Sequence, residues 1–293
     1  MDVSVGVITY NDPSIAALIR QILPGGVGCH HLSEVVIVSS GLLPENREAV
    51  LGLCSLHPLL RLVEEDSRAG KAAAVNRFLG IAKGGLCVLV SGDVLLAEDS
   101  LTELVRPFSD PKVGMVGGRV VPLNDDSTFT GYAVNLVWRL HHLVSLNKPK
   151  VGEAVAFRNV VTCISPTTAV DEAYIEAVLV GMGYLVAYAP AAVVRNMGPR
   201  TVSDFVRQRR RIHAGHMMLR REAGYSVSTL GVLPLLALLP GCIDYTPRNI
   251  IWAASAAALE AWSRLLACVD VYLFGRNPYC WGIVESAKIR GVV

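Results

Sequence analysis

The chain has 293 residues, room for one large α/β domain and a smaller appendage. Apolar residues make up 52% and charged ones 18%, and the apolar excess collects after residue 226, which points to a membrane rather than to a larger core. A net charge of +2 excludes a globally basic nucleic-acid binder.

Val3 to Thr9 reads as a first buried strand, with no basic and apolar leader ahead of it, so the large domain is expected in the cytoplasm. In Tyr10-Asn11-Asp12-Pro13 a capping residue precedes a proline suited to a first helical turn, and a helix runs to about Leu23. Glu34 to Ser39 is a second strand, ended by Ser39-Ser40-Gly41 where a ligand loop would lie, and Leu60 to Glu64 is a third. Pro44 to Leu56 and Lys71 to Ala82 have the length of the crossovers that parallel strands require. Leu86 to Val90 is nearly all apolar, as a strand buried on both faces must be. It stops at Ser91-Gly92-Asp93, ahead of the helix-start residues Glu98, Asp99 and Ser100. Asp93 thereby stands at the carboxyl end of a central strand, where open α/β sheets bind ligands and where a metal-bound phosphate would go. The alternation predicts an α/β, doubly wound sheet.

Further on, Val113 to Leu123 and Gly152 to Arg158 read as strands. Gly131 to Leu146 reads as an amphipathic helix with His141 and His142 on its surface, and Asp171 opens a helix reaching about Met182. A long helix starts at Thr201 and carries Arg207, Arg209, Arg210, Arg211, Arg220 and Arg221, a cluster suited to anionic lipid or a diphosphate. With Phe205, Ile212, Met217, Met218 and Leu219 it is expected to lie in a membrane interface. Val227 to Ile243 then runs 17 residues without a charge, about 25 Å as a helix, with Pro234 and Pro240 to kink it. Ile250 to Phe274 is a second apolar stretch, in which Glu260 and Arg264 pair four residues apart beside Asp270. The pair of stretches predicts a transmembrane helical hairpin around Tyr245-Thr-Pro-Arg, with Arg276, Lys288 and Arg290 returning to the cytoplasmic side. The seven cysteines lack metal-like CxxC spacing, and Cys87, Cys242 and Cys268 read as small buried hydrophobes.

Five segments, VGVITYND, EEDSRAGKAAAVN, VLVSGDVLL, VDEAYIEAVLVGMGYLVAYAP and QRRRI, resemble in order and spacing the family 2 glycosyltransferases. These are GT-A-fold enzymes that include cellulose synthase and the dolichyl-phosphate sugar synthases, and the resemblance covers roughly residues 3 to 215. No GxGxxG follows the first strand, which disfavours a hydride-transferring dinucleotide enzyme. The resemblance implies that Thr9, Tyr10 and Asn11 hold the nucleotide base and ribose. It places Asp66, Arg68 and Lys71 at the nucleotide and its diphosphate, with Ser39, Ser91 and Gly92 beside them, and gives Asn76 a structural role. Asp93 matches the last acid of the family's DxD, which binds Mg²⁺ or Mn²⁺ on the donor's diphosphate. Ser91 replaces the first acid, and Ser39-Ser40 stands where relatives carry an aspartate, so the site has lost negative charge.

Glu172 lies eleven residues before Gly183-Tyr184, the spacing of the last acid of the family's TED, and is the expected general base. Asp171 is the second choice and suits a helix cap. Arg158 is expected to steady donor or acceptor. Gln208 and Arg211 match QxxRW at the diphosphate and acceptor, with Ile212 in the tryptophan's place. The expected organisation is a GT-A catalytic domain over 1–199, an interfacial helix over 200–225, two membrane segments over 226–275 and a cytoplasmic tail over 276–293. The expected function is inverting transfer of a single sugar, mannose from GDP-mannose by resemblance, from a nucleotide-sugar donor to a lipid-linked (polyprenyl or dolichyl) acceptor. It would take place at the cell membrane, with the catalytic domain on the cytoplasmic side and no nucleic-acid partner. A processive polysaccharide synthase is the alternative, and a catalytically inactive nucleotide-binding scaffold is the alternative of another class.

Overall fold

The computed structural model describes residues 1–24, 26–279 and 285–289. Its first half is built as the apolar runs dictate. Strands β1 (Asp2–Thr9), β2 (His31–Ser39), β3 (Leu60–Glu64) and β4 (Leu86–Ser91) are parallel and stand in the order β3-β2-β1-β4. They are joined through helices α1 (Ile15–Ile22), α2 (Pro44–Leu56) and α3 (Lys71–Leu79). Because side chains alternate across a strand, Val3, Val5 and Val7 of β1 pack with Ile15, Leu18 and Ile19 of α1 on one face. Cys87 and Leu89 of β4 pack with Val75 and Phe78 of α3 on the other. Gly6 admits α3 at close range, since a Cβ there would lie 2.7 Å from the Phe78 ring.

The second half departs from a purely parallel sheet. It contains β5 (Val94–Leu96), α4 (Ser100–Val105), β6 (Val113–Pro122), α5 (Phe129–Asn147), β7 (Ala154–Arg158), α6 (Asp171–Gly181) and β8 (Leu185–Asn196). Strand β7 inserts antiparallel between β4 and β6, β8 runs parallel to β6, and β5 is antiparallel to β8 at the edge. The result is one mixed eight-stranded sheet, β3-β2-β1-β4-β7-β6-β8-β5. The reversal matters for the site, because it sets the amino end of β7 beside the carboxyl end of β4. The amide of Ser91 donates to the Glu153 carbonyl at 3.3 Å.

The carboxyl-terminal third corrects two expectations. Helix α7 (Val202–Ala223) starts at Thr201, whose hydroxyl accepts from the Asp204 amide at 3.1 Å, and ends at Gly224, φ 66°. It does not present its apolar face to a membrane. Phe205, His213, Ala214, His216 and Leu219 are buried against protein, and Met217 and Met218 pack toward Ala267 and Val271. The stretch from Val227 to Ile243 does not make a spanning helix either. It divides into a turn, the seven-residue α8 (Val232–Leu238) and a second turn holding Pro240, so its helix is only about 10 Å long. Proline lacks the amide that would carry the helix on.

The expected hairpin of two spans is therefore replaced by one long helix, α9 (Pro247–Cys268), continued by a π-helical turn over Val269–Leu273. Among the described residues it is the one helix long and apolar enough to cross a membrane, with a mean hydropathy of 1.2 over its most apolar stretch, of which 22% is buried. Its charged residues turn to α7 rather than to each other alone. Glu260 receives Arg209 at 2.8 Å, His213 at 2.7 Å and Arg264 at 3.2 Å, and Asp270 receives Arg210 at 2.5 Å. The tail folds back onto the sheet and buries Lys288. Arg290 lies outside the described residues.

Candidate active site

The carboxyl ends of β1 and β4 form one end of a cavity of about 810 Å³. There the Asp12 carboxylate, read in the sequence only as a cap, organises the loop: its Oδ2 accepts from the Thr9 hydroxyl at 2.8 Å and from the Tyr10 amide at 3.1 Å. Gly92 packs on the same oxygen, and a Cβ there would lie 2.7 Å from it. Burial, reinforced by Asp93, pushes the Asp12 carboxyl up to about 6. Lys288 acts the other way, 3.6 Å from Asp12 Oδ1, with its ammonium donating to the Tyr10 carbonyl at 3.0 Å and the Asn11 carbonyl at 2.7 Å. The Arg68 guanidinium lies 4.7 Å above the Tyr10 ring.

Three of the expected nucleotide residues are placed differently. Asn11, at φ 50°, uses its side-chain oxygen to accept from the Leu43 amide, and Ser39 is buried with its hydroxyl accepting from the Gly41 amide. Ser40 takes the place of Ser39 in the cavity wall, its hydroxyl donating to Glu65 at 2.5 Å. Asp66 is exposed and does not line the cavity, which has Arg68 and Lys71 in its wall instead.

Asp93 sits on the cavity floor, where burial raises its carboxyl against the opposing charges of Lys71, Lys288 and Arg211. Glu153, at the start of β7, is a neighbour that no sequence motif marked. Burial and then Asp93 push it up to about 7, and the Asn196 amide group donates to its Oε1 at 3.3 Å. Among the described residues no three Asp, Glu, His or Cys side chains converge on a common cation position. The donor set is thus Asp93 with whatever oxygens a bound diphosphate brings. That composition fits Mg²⁺ or Mn²⁺, which take one or two carboxylates together with substrate phosphates and water.

The two acids of α6 share one cation. Lys71 Nζ lies 2.6 Å from Glu172 Oε1 and 3.1 Å from Asp171 Oδ2. Burial raises the Glu172 carboxyl, but the Lys71 ammonium outweighs it and holds the group below its usual range. Asp171 goes the other way: burial and then Glu172 push it up to about 6, although its Oδ2 lies 3.1 Å from the Lys71 ammonium. Lys71 itself is held above its ordinary value by the pair despite its burial.

From this centre the cavity continues past Gln208, Arg211, Lys150, His141 and His216 to apolar walls supplied by Val137 and Leu140 of α5, Leu236 of α8 and Ala253 and Ala257 of α9. His141 is buried, not on the helix surface, while His142 is half-buried with its Nδ1 2.8 Å from the Tyr188 hydroxyl. Arg158 is corrected outright. It pairs with Leu86 at the opposite end of β4 from Asp93, and its guanidinium is spent on the Val113 and Asp110 carbonyls. The β7 register decides this: Ala154 stands opposite Val90, so the cavity end of the strand is Glu153, not Arg158. Spacing alone gave no signal for Glu153, Lys150 or Lys288, whose neighbours come from distant elements.

Comparison with known proteins places this arrangement. A family model described as glycosyl transferase family 2 matches residues 4–178. A solved mannosyltransferase of Pyrobaculum calidifontis, in complex with GDP-Man and Mn²⁺, is 26% identical, with a TM-score of 0.61 over 94% of this chain and 81% of that one. Glucosyl-3-phosphoglycerate synthase of Mycobacterium tuberculosis, solved with Mn²⁺ and UDP, shares the fold at 16% identity and a TM-score of 0.52, over 75% of this chain and 78% of that one. An N-acetylglucosaminyltransferase of Rhizobium meliloti is 22% identical over 243 residues, 71% of this chain and 54% of the relative. The chain spans about half the length of the curated N-acetylglucosaminyltransferases it matches. The mixed sheet is accordingly that of the GT-A fold.

Proposed function

The chain belongs to glycosyl transferase family 2, and on that premise we propose that it is an inverting transferase moving one sugar from a nucleotide-sugar donor to a lipid-linked acceptor at a membrane surface. The observation that carries the reading is one continuous cavity, polar where β1, β4 and α6 meet and apolar where α5, α8 and α9 wall it. Around that apolar end, α8, α9 and the turn after α9 expose Leu236, Ile251, Trp262, Leu265, Leu273 and Phe274. Such exposed apolar residues suit docking on the cell membrane with the catalytic domain on its cytoplasmic side.

At the donor end, Tyr10 with Arg68 above it offers a stacking surface for the base, and Thr9 fixes the loop through Asp12. A divalent cation held by Asp93 would offset the charge that builds on the leaving nucleoside diphosphate. Lys71 has two claims on it. In the donor-free protein it neutralises Asp171 and Glu172; a donor diphosphate in the same cavity competes for the ammonium and frees Glu172 to take the acceptor hydroxyl's proton. Arg211 and Gln208 line the cavity, which supports assigning them to the diphosphate and the acceptor.

Mannose from GDP-mannose is the favoured donor, supported by likeness over 94% of the chain to a mannosyltransferase. N-acetylglucosamine is the second reading, favoured by the name of the curated relatives. The test is nucleoside diphosphate release from GDP-mannose, UDP-N-acetylglucosamine and UDP-glucose, with and without a polyprenyl-linked acceptor. Turnover that requires the lipid acceptor and GDP-mannose is expected. Nucleotide binding with no acceptor-dependent turnover on any donor would favour the inactive scaffold.

A further inference from the structure

We propose that the midsection of the cavity, walled by Lys150, His141 and His216, seats the phosphate that joins the acceptor's sugar to its lipid; this rests on the lipid-linked acceptor reading above. The three side chains come from the segment before β7, from α5 and from α7, and all face the same cavity. Two of them are short of partners. Among the described residues, His216 is 6% exposed with no hydrogen-bond partner at Nδ1, and His141 is 7% exposed with none at Nε2, its other nitrogen lying 3.4 Å from the Ser145 hydroxyl. Lys150 makes one long hydrogen bond, 3.5 Å to its neighbour's carbonyl. A buried polar atom left unsatisfied costs roughly 1–3 kcal/mol, so two such nitrogens gathered on one cavity beside the Lys150 ammonium point to a ligand that satisfies them together.

The charges around the pocket choose the ligand. Lys150, Arg209 and Arg264 face it from the β7 side, α7 and α9, against Glu260, which binds both arginines and the Nε2 of His213. Glu176 stands beyond Lys150, bonded by the Tyr225 hydroxyl and raised by burial toward its neutral form. Among the described residues Lys150 makes no ion pair, with Glu176, Glu172 and Glu153 only within electrostatic reach, and it stands beside imidazole nitrogens that can donate. That set matches the acceptor-only oxygens of a phosphate rather than a hydroxyl.

Position supports the same ligand. Lys150 is within electrostatic reach of Glu172 and of both His141 and His216. Leu236, Ala253 and Ala257 line the same cavity. A sugar between the phosphate and Glu172, with the lipid over α8 and α9, fills the cavity in the order in which its chemistry changes. The site binds and orients; no bond to phosphorus is made or broken there.

The test uses the full chain in detergent micelles and three probes, farnesyl phosphate, farnesol and inorganic phosphate, with GDP and Mn²⁺ binding as the control for folding. Wild type is expected to prefer farnesyl phosphate to farnesol, and Lys150→Met to weaken farnesyl phosphate by roughly ten- to a hundredfold while farnesol and GDP are held as before. His216→Phe provides the same readout from another element if Lys150→Met fails to fold. Equal binding of farnesol and farnesyl phosphate by wild type would overturn the phosphate seat and leave the lipid acceptor standing. Binding of neither would overturn the acceptor reading itself. Lys150-dependent binding of inorganic phosphate without farnesyl phosphate would overturn the lipid source.

Discussion

The Asp171–Glu172 pair shows how one lysine can set two carboxyl groups apart. Glu172→Gln keeps the size and hydrogen bonding of the side chain while removing its basicity. Turnover is expected to fall by about 10² to 10⁴-fold with nucleotide affinity retained, and Asp171→Asn is expected to do less. Single-turnover rates with matched calorimetry check this, and the reverse ranking would move the base to Asp171, whose carboxyl is already up at about 6. Asp93→Ala should remove the Mn²⁺-dependent part of nucleotide binding and leave the metal-free part, again by calorimetry; unchanged affinity with Mn²⁺ would separate Asp93 from the cation. Glu153 gives a third outcome. Its carboxyl rises from 4.5 to about 7 on folding, so its contribution to stability is complete below about pH 4.5 and is lost as the pH rises through about 7. Asp12 and Asp171, raised from 3.8 to about 6, work in the same direction. Glu153→Gln should therefore unfold later than wild type at pH 7.5, by up to about 3 kcal/mol, and show little difference at pH 4. Denaturant titrations at the two pH values check the sign.

Among the elements, the contact between α7 and α9 carries the most charge. Glu260 holds Arg209, His213 and Arg264 at once, and none of the four is more than about a fifth exposed. Glu260→Ala should cost on the order of 3–5 kcal/mol, because it leaves two arginines facing each other without their anion. A lowered melting temperature is the expected readout, with loss of protection from hydrogen exchange concentrated in α7 and α9. The arginine run was legible in the sequence, but its destination was not. A helix with basic and apolar residues is written alike for a lipid surface and for an acidic neighbour. The choice was made by Glu260 and Asp270, about 50 and 60 residues further on, as the Arg209–Glu260 and Arg210–Asp270 pairs record.

For the whole molecule, the exposed apolar face on α8 and α9 predicts binding to vesicles. Trp262 and Leu265 are 52% and 54% exposed, so charging both alters the surface and not the core. Trp262→Glu with Leu265→Glu should abolish flotation with anionic vesicles, since each apolar side chain contributes about 1.5–3 kcal/mol when buried. Nucleotide binding should be unchanged, and flotation of the double variant equal to wild type would remove this face as the membrane contact. The arginines Arg220 and Arg221 are exposed at the end of α7, where they would add attraction to anionic headgroups under that reading.

The amino-acid sequence by itself determined the parallel half of the sheet, because a strand buried on both faces must be largely apolar, and Leu86 to Val90 is wholly so while Val3 to Thr9 is interrupted only by the small residues Ser4 and Gly6 and closed by Thr9. It likewise determined that Asp93 ends a central strand and that Asp171 and Glu172 open a helix, since both follow from local pattern. It could not place Glu153, Lys150 or Lys288, each brought to the cavity by partners at long separation: an antiparallel strand inserted beside β4, a helix lying over it, and a tail returning across 278 residues to Tyr10. Nor could it distinguish a membrane hairpin from one long helix docked beside a short one. Apolar composition is the same in both, and the outcome depends on whether the charges of α9 find partners on α7, which only the tertiary structure decides.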